Sequence, residues 1–201
     1  MKNPSQKIKN VVAPKSALRE WVDSIVIAVV LAIFIRILFF EPYKIPSGSM
    51  RMTLIEGDRL FVNKLAFGPR IPFSGYRLPG FTKPKRGDVV VFINPVDHKR
   101  NFIKRLIGFG GEKIEIRDGD IYVNGQHITD PRVDNVYYYN TNSEYGRSNE
   151  VVEVPAGHYF VLGDNSKDSN DSRFWGFVPE RDLIGRAEFI FWPFDRLRKI
   201  H

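Results

Sequence analysis

The sequence predicts an all-β domain that follows a single membrane-spanning helix. Three observations support this prediction. Short runs rich in Val and Ile alternate with polar residues, Asp-Gly and Asn-Gly pairs separate some of these runs, and one long apolar run lies near the N-terminus. Alternation with a period of two is typical of half-buried strands, and the two Gly-containing pairs are typical of hairpin turns.

The composition is compatible with a folded domain and excludes several kinds of site. The chain has 201 residues, of which 43% are hydrophobic, enough for one domain and an additional segment. It has no cysteine, which excludes disulfides, thiolate zinc sites, iron–sulfur clusters and a cysteine nucleophile. Most of the net charge of +7 lies in the first twenty residues. This distribution favours a membrane-orienting tail, and we predict no nucleic-acid partner.

The first predicted element is a transmembrane helix over residues 21–40. Residues 24–40 are apolar apart from Arg36, whose long side chain lies near one end and can reach the headgroups. A buried core helix is disfavoured because the run has no polar stripe. A cleavable signal is disfavoured because Leu38 and Phe40, rather than small residues, lead into a Glu-Pro pair.

This helix divides the chain into three predicted parts. Residues 1–20 form a basic tail, residues 21–40 cross the membrane, and residues 41–201 form the β domain. Because lysines precede the helix, the positive-inside rule places the N-terminus in the cytoplasm and the β domain outside.

Beyond the apolar run, the chain consists of short strand-like runs separated by Gly and Pro. The predicted strand regions are residues 86–94, 101–108, 113–128, 157–164 and 185–194. Residues 132–150 are polar and rich in tyrosine, which predicts a long loop or a small insertion. Since no second long helix is indicated, a sandwich or barrel is expected.

Two residues are candidates for nucleophilic catalysis, Ser49 in IPSGSM and Lys104 in FIKRLI. A nucleophilic serine needs a base. The four histidines are scattered and no G-x-S-x-G or H-E-x-x-H motif occurs, so no histidine is marked as that base, although a Ser-His-Asp arrangement stays open. Strand alternation places Lys104 between Phe102 and Leu106, where burial would lower its pKa. Taken singly, Ser49 is also typical of a turn and Lys104 of a sheet edge.

A third polar stretch, residues 163–180, is either a hydrophilic loop or a buried network. Its order Asp-Ser-Arg-Phe-Trp-Gly favours pairing of Asp171 with Arg173, with short hydroxyl side chains pointing inward. The residues alone leave both interpretations open.

Five stretches of the chain form a recognisable set. In chain order they are IPSGSM with TL following, GDRLFVNK, RGDVVVF, FIKRLIGFGGE and GDNSKDSNDSRFWGFVP. The set resembles the bacterial type I signal peptidases, membrane-anchored serine proteases that remove signal peptides from exported proteins. The resemblance extends from Phe40 to the C-terminus. Each stretch is weak evidence alone, whereas five in register are specific.

The resemblance implies a Ser-Lys dyad with Ser49 as nucleophile and Lys104 as general base. Ser47 and the backbone N–H of Ser49 would form the oxyanion hole. The family's fold is an antiparallel β catalytic core with a smaller β insertion, here at roughly residues 113–155. It agrees with the strands predicted from the residues.

The resemblance also implies supporting residues and substrate pockets. Ser169 would hydrogen-bond to Lys104 and orient it, and Asp171 and Arg173 would form a supporting ion pair. An extended substrate would pair with the edge at residues 43–47. Shallow apolar pockets would admit small side chains at positions −3 and −1 before the cut. The residues assigned to substrate binding are Tyr43, Ile45, Pro46, Met50, Leu54, Leu60, Phe102 and Ile103.

The expected partners are signal-peptide-bearing preproteins and membrane lipid, with no metal and no cofactor. The expected location is the bacterial cytoplasmic membrane, crossed once, with the catalytic domain on the extracytoplasmic face. Nine residues from Phe40 to Ser49 extend over at most about 30 Å, which would hold the nucleophile close to the membrane surface.

Three positions depart from the family pattern. Met52 replaces a proline and is expected to loosen the turn after the nucleophile. Ser166 replaces an arginine that is common after GDN and is expected to weaken a peripheral salt bridge. The segment GFGGE stands where GLPGD is usual.

Two other functions are weighed against this interpretation. A self-cleaving repressor of the same broad fold would need a DNA-binding domain, whereas residues 1–40 predict a membrane span. A membrane-tethered β binding module would use the Ser-Gly-Ser turn only as a turn, and would be unaffected by replacement of Ser49 or Lys104.

Overall fold

The computed structural model describes residues 16–71 and 76–201. The chain divides into two units, Met1–Ile35 and Arg36–His201. The first unit contains most of a long helix. The second contains all the strands of the described chain.

The long helix, α1, spans Ala17–Leu38. Within the described residues, no helix combines the length and the apolar character needed to cross a bilayer. The predicted transmembrane helix over residues 21–40 is therefore not supported. The uncharged stretch between Asp23 and Arg36 is shorter than the about 20 apolar residues that a spanning helix needs. Most of the predicted cytoplasmic tail, residues 1–15, lies outside the described residues.

The described chain contains twelve strands. They are β1 (Phe40–Lys44), β2 (Arg59–Asn63), β3 (Val89–Ile93), β4 (Asn101–Phe109), β5 (Lys113–Arg117), β6 (Asp120–Val123), β7 (Gln126–His127), β8 (Val151–Glu153), β9 (His158–Leu162), β10 (Val178–Pro179), β11 (Leu183–Trp192) and β12 (Arg198–Lys199). Two short helices, α2 (Pro131–Asp134) and α3 (Ser172–Trp175), lie between them. Four 3₁₀ turns cover Gly48–Met50, Ser166–Asp168, Glu180–Asp182 and Phe194–Arg196.

Eight of the described strands form one antiparallel sheet in the order β1-β2-β11-β3-β4-β9-β10, with β12 paired to β11. This confirms the predicted all-β, antiparallel fold class. The Val-rich strand β3 lies between β11 and β4, and four consecutive residues of it are buried, as expected for a central strand.

The pairing of β4 leaves part of one edge open. Val90 of β3 lies opposite Lys104 on one side of β4. On the other side, β9 pairs with β4 only from Arg105 onwards. Within the described chain, residues 101–104 therefore have a strand partner on one side only. The open edge is where a further strand can add.

The other four strands form a smaller antiparallel sheet in the order β7-β6-β5-β8. Its hairpin turns are the predicted Asp-Gly and Asn-Gly pairs. Asp118 and Gly119 have φ values of 51° and 92°, and Asn124 and Gly125 have values of 51° and 79°. Positive φ at both central residues is the geometry of the two-residue turn that suits the twist of a hairpin. These strands fall within residues 113–155, the predicted insertion, whose boundaries stay a prediction.

The tyrosine-rich segment, residues 132–150, contains the end of α2 and no strand of the described chain. It is less exposed than its polarity predicted. Tyr138 is fully buried in a core cluster with Ile107 and Phe160. A side chain of this size anchors the segment against the large sheet.

Candidate active site

The turn that carries Ser49 is fixed by two hydrogen bonds from Asn165. Ser47 precedes the 3₁₀ turn Gly48–Met50 with extended backbone, and Ser49 is 9% exposed. The side-chain amide of Asn165 donates to the Gly48 carbonyl (2.9 Å), and its backbone N–H donates to the Ser49 carbonyl (3.0 Å). The backbone around the hydroxyl is therefore fixed by a residue of the GDN stretch.

The turn is also anchored from below by apolar side chains. Met50, Leu54 and Leu60 are fully buried, and Ile45 is nearly so, in one core cluster. Ile45 precedes the Ser-Gly-Ser turn and the other three side chains lie within or after it. Their burial in one cluster therefore holds the chain in its change of direction. Each fully buried side chain of this kind stabilises the fold by about 1.5–3 kcal/mol.

Lys104 lies in the middle of β4 and is 4% exposed. Its Nζ donates to Ser49 Oγ (2.7 Å) and to the Ile103 carbonyl (3.0 Å). The amine also lies 5.6 Å from the centre of the Phe102 ring. The structure thus brings together the predicted serine and lysine, which are distant in sequence.

Burial lowers the pKa of Lys104 to about 8, because the ammonium form loses its hydration. The carboxylates of Asp171 and Asp164 oppose this change, and the Arg173 guanidinium adds to it. At this pKa a useful fraction of the amine is neutral in mildly alkaline solution and can accept a proton.

Asp171 and Arg173 form the predicted ion pair at the start of α3. Two guanidinium nitrogens of Arg173 each lie 2.8 Å from an Asp171 carboxylate oxygen, and both side chains are fully buried. Asp171 also caps the helix by accepting from the Arg173 backbone N–H (3.2 Å), and it accepts from Gly163 N (3.0 Å). A buried pair with these additional bonds is costly to break from one side.

The hydrogen bonding of Ser169 differs from the prediction. Among the described residues its hydroxyl is buried without a hydrogen-bond partner, and the expected bond to Lys104 is not formed. The Lys104 amine contacts Ser49 and Ile103 instead. Ser169 Oγ lies against Gly163, where it would be 2.1 Å from an added Cβ atom.

A second buried ion pair, Arg105 with Asp164, was not identified from the sequence. Its two contacts measure 2.8 Å and 2.6 Å, and Arg105 also donates to the Gly87 carbonyl (2.6 Å). Thr53, which follows the 3₁₀ turn Gly48–Met50, contacts both members of the pair. The sequence offered one indication of these two residues, which is their position next to recognised motifs. Arg105 directly follows Lys104, and Asp164 lies in the GDN stretch.

Ser49 and Lys104 open into a groove of about 870 Å³. The groove is lined by Pro46, Ser47, Gly48, Ser49, Arg100, Asn101, Phe102, Ile103, Lys104, Lys167, Asp168, Ser169, Asn170 and Phe174. It therefore contains the three predicted substrate-binding residues Pro46, Phe102 and Ile103. The side chains of Arg100 and Lys167 at this groove were not predicted.

The remaining predicted substrate-binding residues lie outside the groove lining. Ile45, Met50, Leu54 and Leu60 belong to the core cluster beneath the turn, and their contribution to a pocket stays a prediction. The hydroxyl of Tyr43 accepts from the side-chain amide of Asn101 (3.0 Å), which connects Tyr43 to one lining residue.

The three departures from the family pattern are accommodated locally. Met52 is exposed, and the turn after the nucleophile is closed by bonds from Thr53 N and Leu54 N to the Met50 carbonyl (2.8 Å and 2.6 Å). In GFGGE, the Glu112 side chain accepts from Phe109 N (2.8 Å). Ser166 is buried rather than peripheral.

One group of described side chains has ligand atoms close enough to hold a metal ion. Asp120, His127 and Asp134 bring these atoms within 4.8 Å of one another. All three are exposed and belong to β6, β7 and α2, none of which lines the groove. The expected absence of a metal stays a prediction.

The chain matches one known protein family over most of its length. The family model described as signal peptidase, peptidase S26, matches residues 18–192. The chain belongs to the peptidase S26 family of signal peptidases. The match spans both Ser49 and Lys104 and the stretch from Gly163 to Arg173.

Two Bacillus relatives match most of the chain, and one solved structure matches about half of it. Signal peptidase I T of Bacillus subtilis (strain 168) is 38% identical over 189 residues, 90% of this chain and 88% of the relative. Signal peptidase I of Bacillus licheniformis is 37% identical over 194 residues, 92% and 94% of the two chains. The crystal structure of a signal peptidase I from Enterococcus faecalis V583 has 36% identity and a TM-score of 0.43, covering 52% of this chain and 97% of that one.

The family match and the two Bacillus relatives confirm the predicted resemblance and the predicted enzyme class. The chain is a hydrolase of the signal peptidase I type, a serine endopeptidase. Membership of this family disfavours the two alternatives, a binding module without activity and a self-cleaving repressor.

We predict that Gly163→Ala removes most activity. The added methyl group would lie 2.1 Å from Ser169 Oγ and 2.5 Å from the Ser49 carbonyl, so the nucleophile turn must shift. A displacement of about 1 Å is enough to lower kcat/KM about 100-fold. Peptide cleavage by the purified variant is the measurement. Gly125→Ala is the control for a loss of stability alone, because nothing lies within 4 Å of the new atom but the φ of 79° strains a hairpin turn that does not line the groove. Similar rates for the two variants would contradict the prediction.

Proposed function

We propose that this enzyme cleaves signal peptides from exported preproteins with a Ser49–Lys104 dyad. The observation that carries the proposal is the 2.7 Å contact between Lys104 Nζ and Ser49 Oγ in a buried site. In the described chain, the hydrogen-bond partner of the Ser49 hydroxyl is this lysine and not a histidine. The name of the relatives, signal peptidase I, supports the substrate class.

The first chemical step uses the neutral amine of Lys104. The amine accepts the Ser49 hydroxyl proton while Oγ attacks the scissile carbonyl carbon, and the carbonyl oxygen becomes an oxyanion. We place this oxyanion between the Ser47 hydroxyl and the Ser49 backbone N–H. Ser47 lines the groove beside Ser49 and uses no side-chain bond to cap the turn. Each such donor lowers the barrier by about 3–4 kcal/mol.

The second step releases the mature protein and restores the enzyme. The Lys104 ammonium gives its proton to the leaving amine as the carbon–nitrogen bond breaks, which leaves an ester on Ser49. The Lys104 amine is then neutral again, and it accepts a proton from a water molecule that attacks the ester. The Ser49 oxygen leaves with that proton, and the signal peptide departs as a carboxylic acid whose remaining proton passes to solvent.

The supporting residues act on the charge of Lys104. Asp171 is held by Arg173, and both influence the lysine through space. Ser169 lines the same groove as Lys104, with a free hydroxyl within the described chain. We propose that this hydroxyl accepts a hydrogen bond from the ammonium group once Lys104 has taken the proton.

The groove suits an extended peptide with small side chains. The open edge of β4, residues 101–104, can pair with the substrate backbone, which places alternate side chains against the protein. The apolar walls at Pro46, Phe102 and Ile103 lie beside the nucleophile. We propose that they admit only small residues at positions −1 and −3.

Membrane lipid is the second proposed partner. An aromatic patch consists of Trp192 and Phe194, whose ring centres lie 4.7 Å apart and which are 44% and 74% exposed. Its Trp192 pairs with Arg59, which also pairs with Lys44 just before the nucleophile turn. The patch therefore begins at the end of the sheet that carries Ser49. We propose that it contacts the extracytoplasmic face of the bacterial cytoplasmic membrane.

We predict that Ser49→Ala and Lys104→Met each abolish cleavage of a peptide with alanine at −3 and −1, while circular dichroism shows a folded protein. Removal of either the nucleophile or its base stops the first step. The matched controls are His98→Gln, His127→Gln and His158→Gln, which are expected to retain activity. A folded Ser49 or Lys104 variant that cleaves the peptide at a near wild-type rate would refute the proposed mechanism.

We predict that kcat/KM rises with pH through about 8, the pKa to which burial lowers Lys104. The reactive amine is neutral, so activity is lost as pH falls below this value and is retained above it. A histidine base would place the same limb near its usual pKa of about 6.5. The measurement is a pH profile of kcat/KM. A limb near 6.5 that disappears in one of the histidine variants would refute the lysine base.

We predict that residues 36–201, without the preceding helix, sediment with anionic liposomes. The aromatic patch supplies apolar side chains that enter the headgroup region. The double variant Trp192→Ser, Phe194→Ser is expected to bind at least about 10-fold more weakly. Tyr137→Ser, an exposed aromatic residue beyond the patch, is the control. Equal sedimentation of the patch and control variants would contradict the proposed contact.

A further inference from the structure

Ser166 is the departure from the family pattern with the most extensive contacts. It begins the 3₁₀ turn Ser166–Asp168 and is 7% exposed. Its Oγ accepts hydrogen bonds from Arg173 Nη1 (2.7 Å) and from Tyr139 N (2.8 Å). A buried hydroxyl thus connects the guanidinium of the supporting ion pair to the tyrosine-rich segment.

The Arg173 guanidinium is surrounded by acceptors from three places. Nη1 donates to the Tyr139 carbonyl (2.6 Å) as well as to Ser166 Oγ, and Nη2 donates to the Ser166 carbonyl (2.8 Å). Nε and Nη2 contact the Asp171 carboxylate. Because a guanidinium is a rigid planar fork, the bonds on the side of Ser166 determine how it faces Asp171.

The orientation of this fork affects the charge around the proposed base. Asp171 and Arg173 from the segment around α3, and Asp164 from the turn after β9, act on Lys104 through space. The charged side chains that line the groove with Lys104 are Arg100, Lys167 and Asp168. The carboxylates of Asp171 and Asp164 favour the ammonium form of Lys104, and Arg173 favours the neutral amine. If the guanidinium faced Asp171 less closely, the Asp171 carboxylate would be less neutralised. It would then favour the ammonium form of Lys104 more strongly.

We propose that Ser166 is a positioning residue for the general base, because it holds Arg173 against Asp171 and so limits the negative charge that Asp171 presents to Lys104. The proposal rests on the proposed Ser49–Lys104 mechanism. The serine hydroxyl is suited to the position because it can accept a hydrogen bond from a guanidinium. The arginine expected there from the family resemblance has no acceptor atom in its side chain.

The test is the pH profile of kcat/KM for the full chain with the alanine-containing peptide. In Ser166→Ala, Arg173 and Tyr139 N lose an acceptor, and the acidic limb is expected to move to higher pH by about 0.5. Below the limb this movement lowers kcat/KM about 3-fold. Ser166→Thr keeps the hydroxyl and is expected to restore the wild-type limb. Ser166→Cys fills the volume with a weaker acceptor and is expected to behave as alanine does.

Ser143→Ala is the matched control for a general loss of stability. Ser143 Oγ donates to the Arg173 backbone carbonyl (2.6 Å) and makes no contact with the guanidinium. This change loosens the same segment and is expected to leave the limb unchanged. Circular dichroism and thermal melting show which variants are folded, and Ser166→Cys decides the question if Ser166→Ala does not fold.

Two results would overturn the assignment of Ser166. One is a wild-type limb in folded Ser166→Ala or Ser166→Cys, and the other is an equal displacement of the limb in Ser143→Ala. Failure of the underlying mechanism has a different signature, because Ser49→Ala would then cleave the peptide at the wild-type rate. An active wild type, an inactive Ser49→Ala and an unchanged limb in the Ser166 variants would refute Ser166 alone.

Discussion

The contact between the Lys104 amine and the Ser49 hydroxyl requires a lysine that is withdrawn from water. An exposed lysine has a pKa of about 10.4 and is almost entirely protonated at neutral pH. Burial in β4 lowers the pKa of Lys104 to about 8. Lowering a pKa by one costs about 1.4 kcal/mol. The surrounding chain must offset that cost, and much of the structure near the groove can be understood from this requirement.

Two buried ion pairs flank the lysine and have partly compensating effects on it. Asp171 with Arg173 and Asp164 with Arg105 are each almost fully buried. Removing one member of such a pair typically costs about 3–5 kcal/mol, because the other charge is left buried and unpaired. The pairs therefore fix the local structure strongly while each arginine limits the charge that its carboxylate presents to Lys104. Chemistry and stability depend here on the same four side chains.

The sheet topology explains how residues that are distant in sequence come together. Ser49 follows edge strand β1, and Lys104 lies on β4, on the far side of β2, β11 and β3 in sheet order. Asn165 follows β9, which pairs with β4, and it binds the carbonyls of both Gly48 and Ser49, so it holds the Ser49 turn against this part of the sheet. The open edge of β4 beside this junction leaves space for a substrate strand. The proposed peptide-binding edge and the proposed nucleophile thus lie at one break in the strand pairing.

Local patterns in the sequence were sufficient for the strands and the two Gly-containing hairpin turns, and they marked Ser49 and Lys104 as candidates. These features depend on strand period, turn dihedral angles and short motifs, which a linear chain displays. The pairing of Asp171 with Arg173 was left open by the residues alone and was expected from the family resemblance of the five stretches. Only the tertiary structure decided that Asp164 pairs with Arg105, that Tyr138 and Ser166 are buried, and that the Ser169 hydroxyl has no bond to Lys104 in the described chain. Hydrogen-bond partners and burial are set by distances in space between residues far apart in sequence, and periodicity carries no information about those distances.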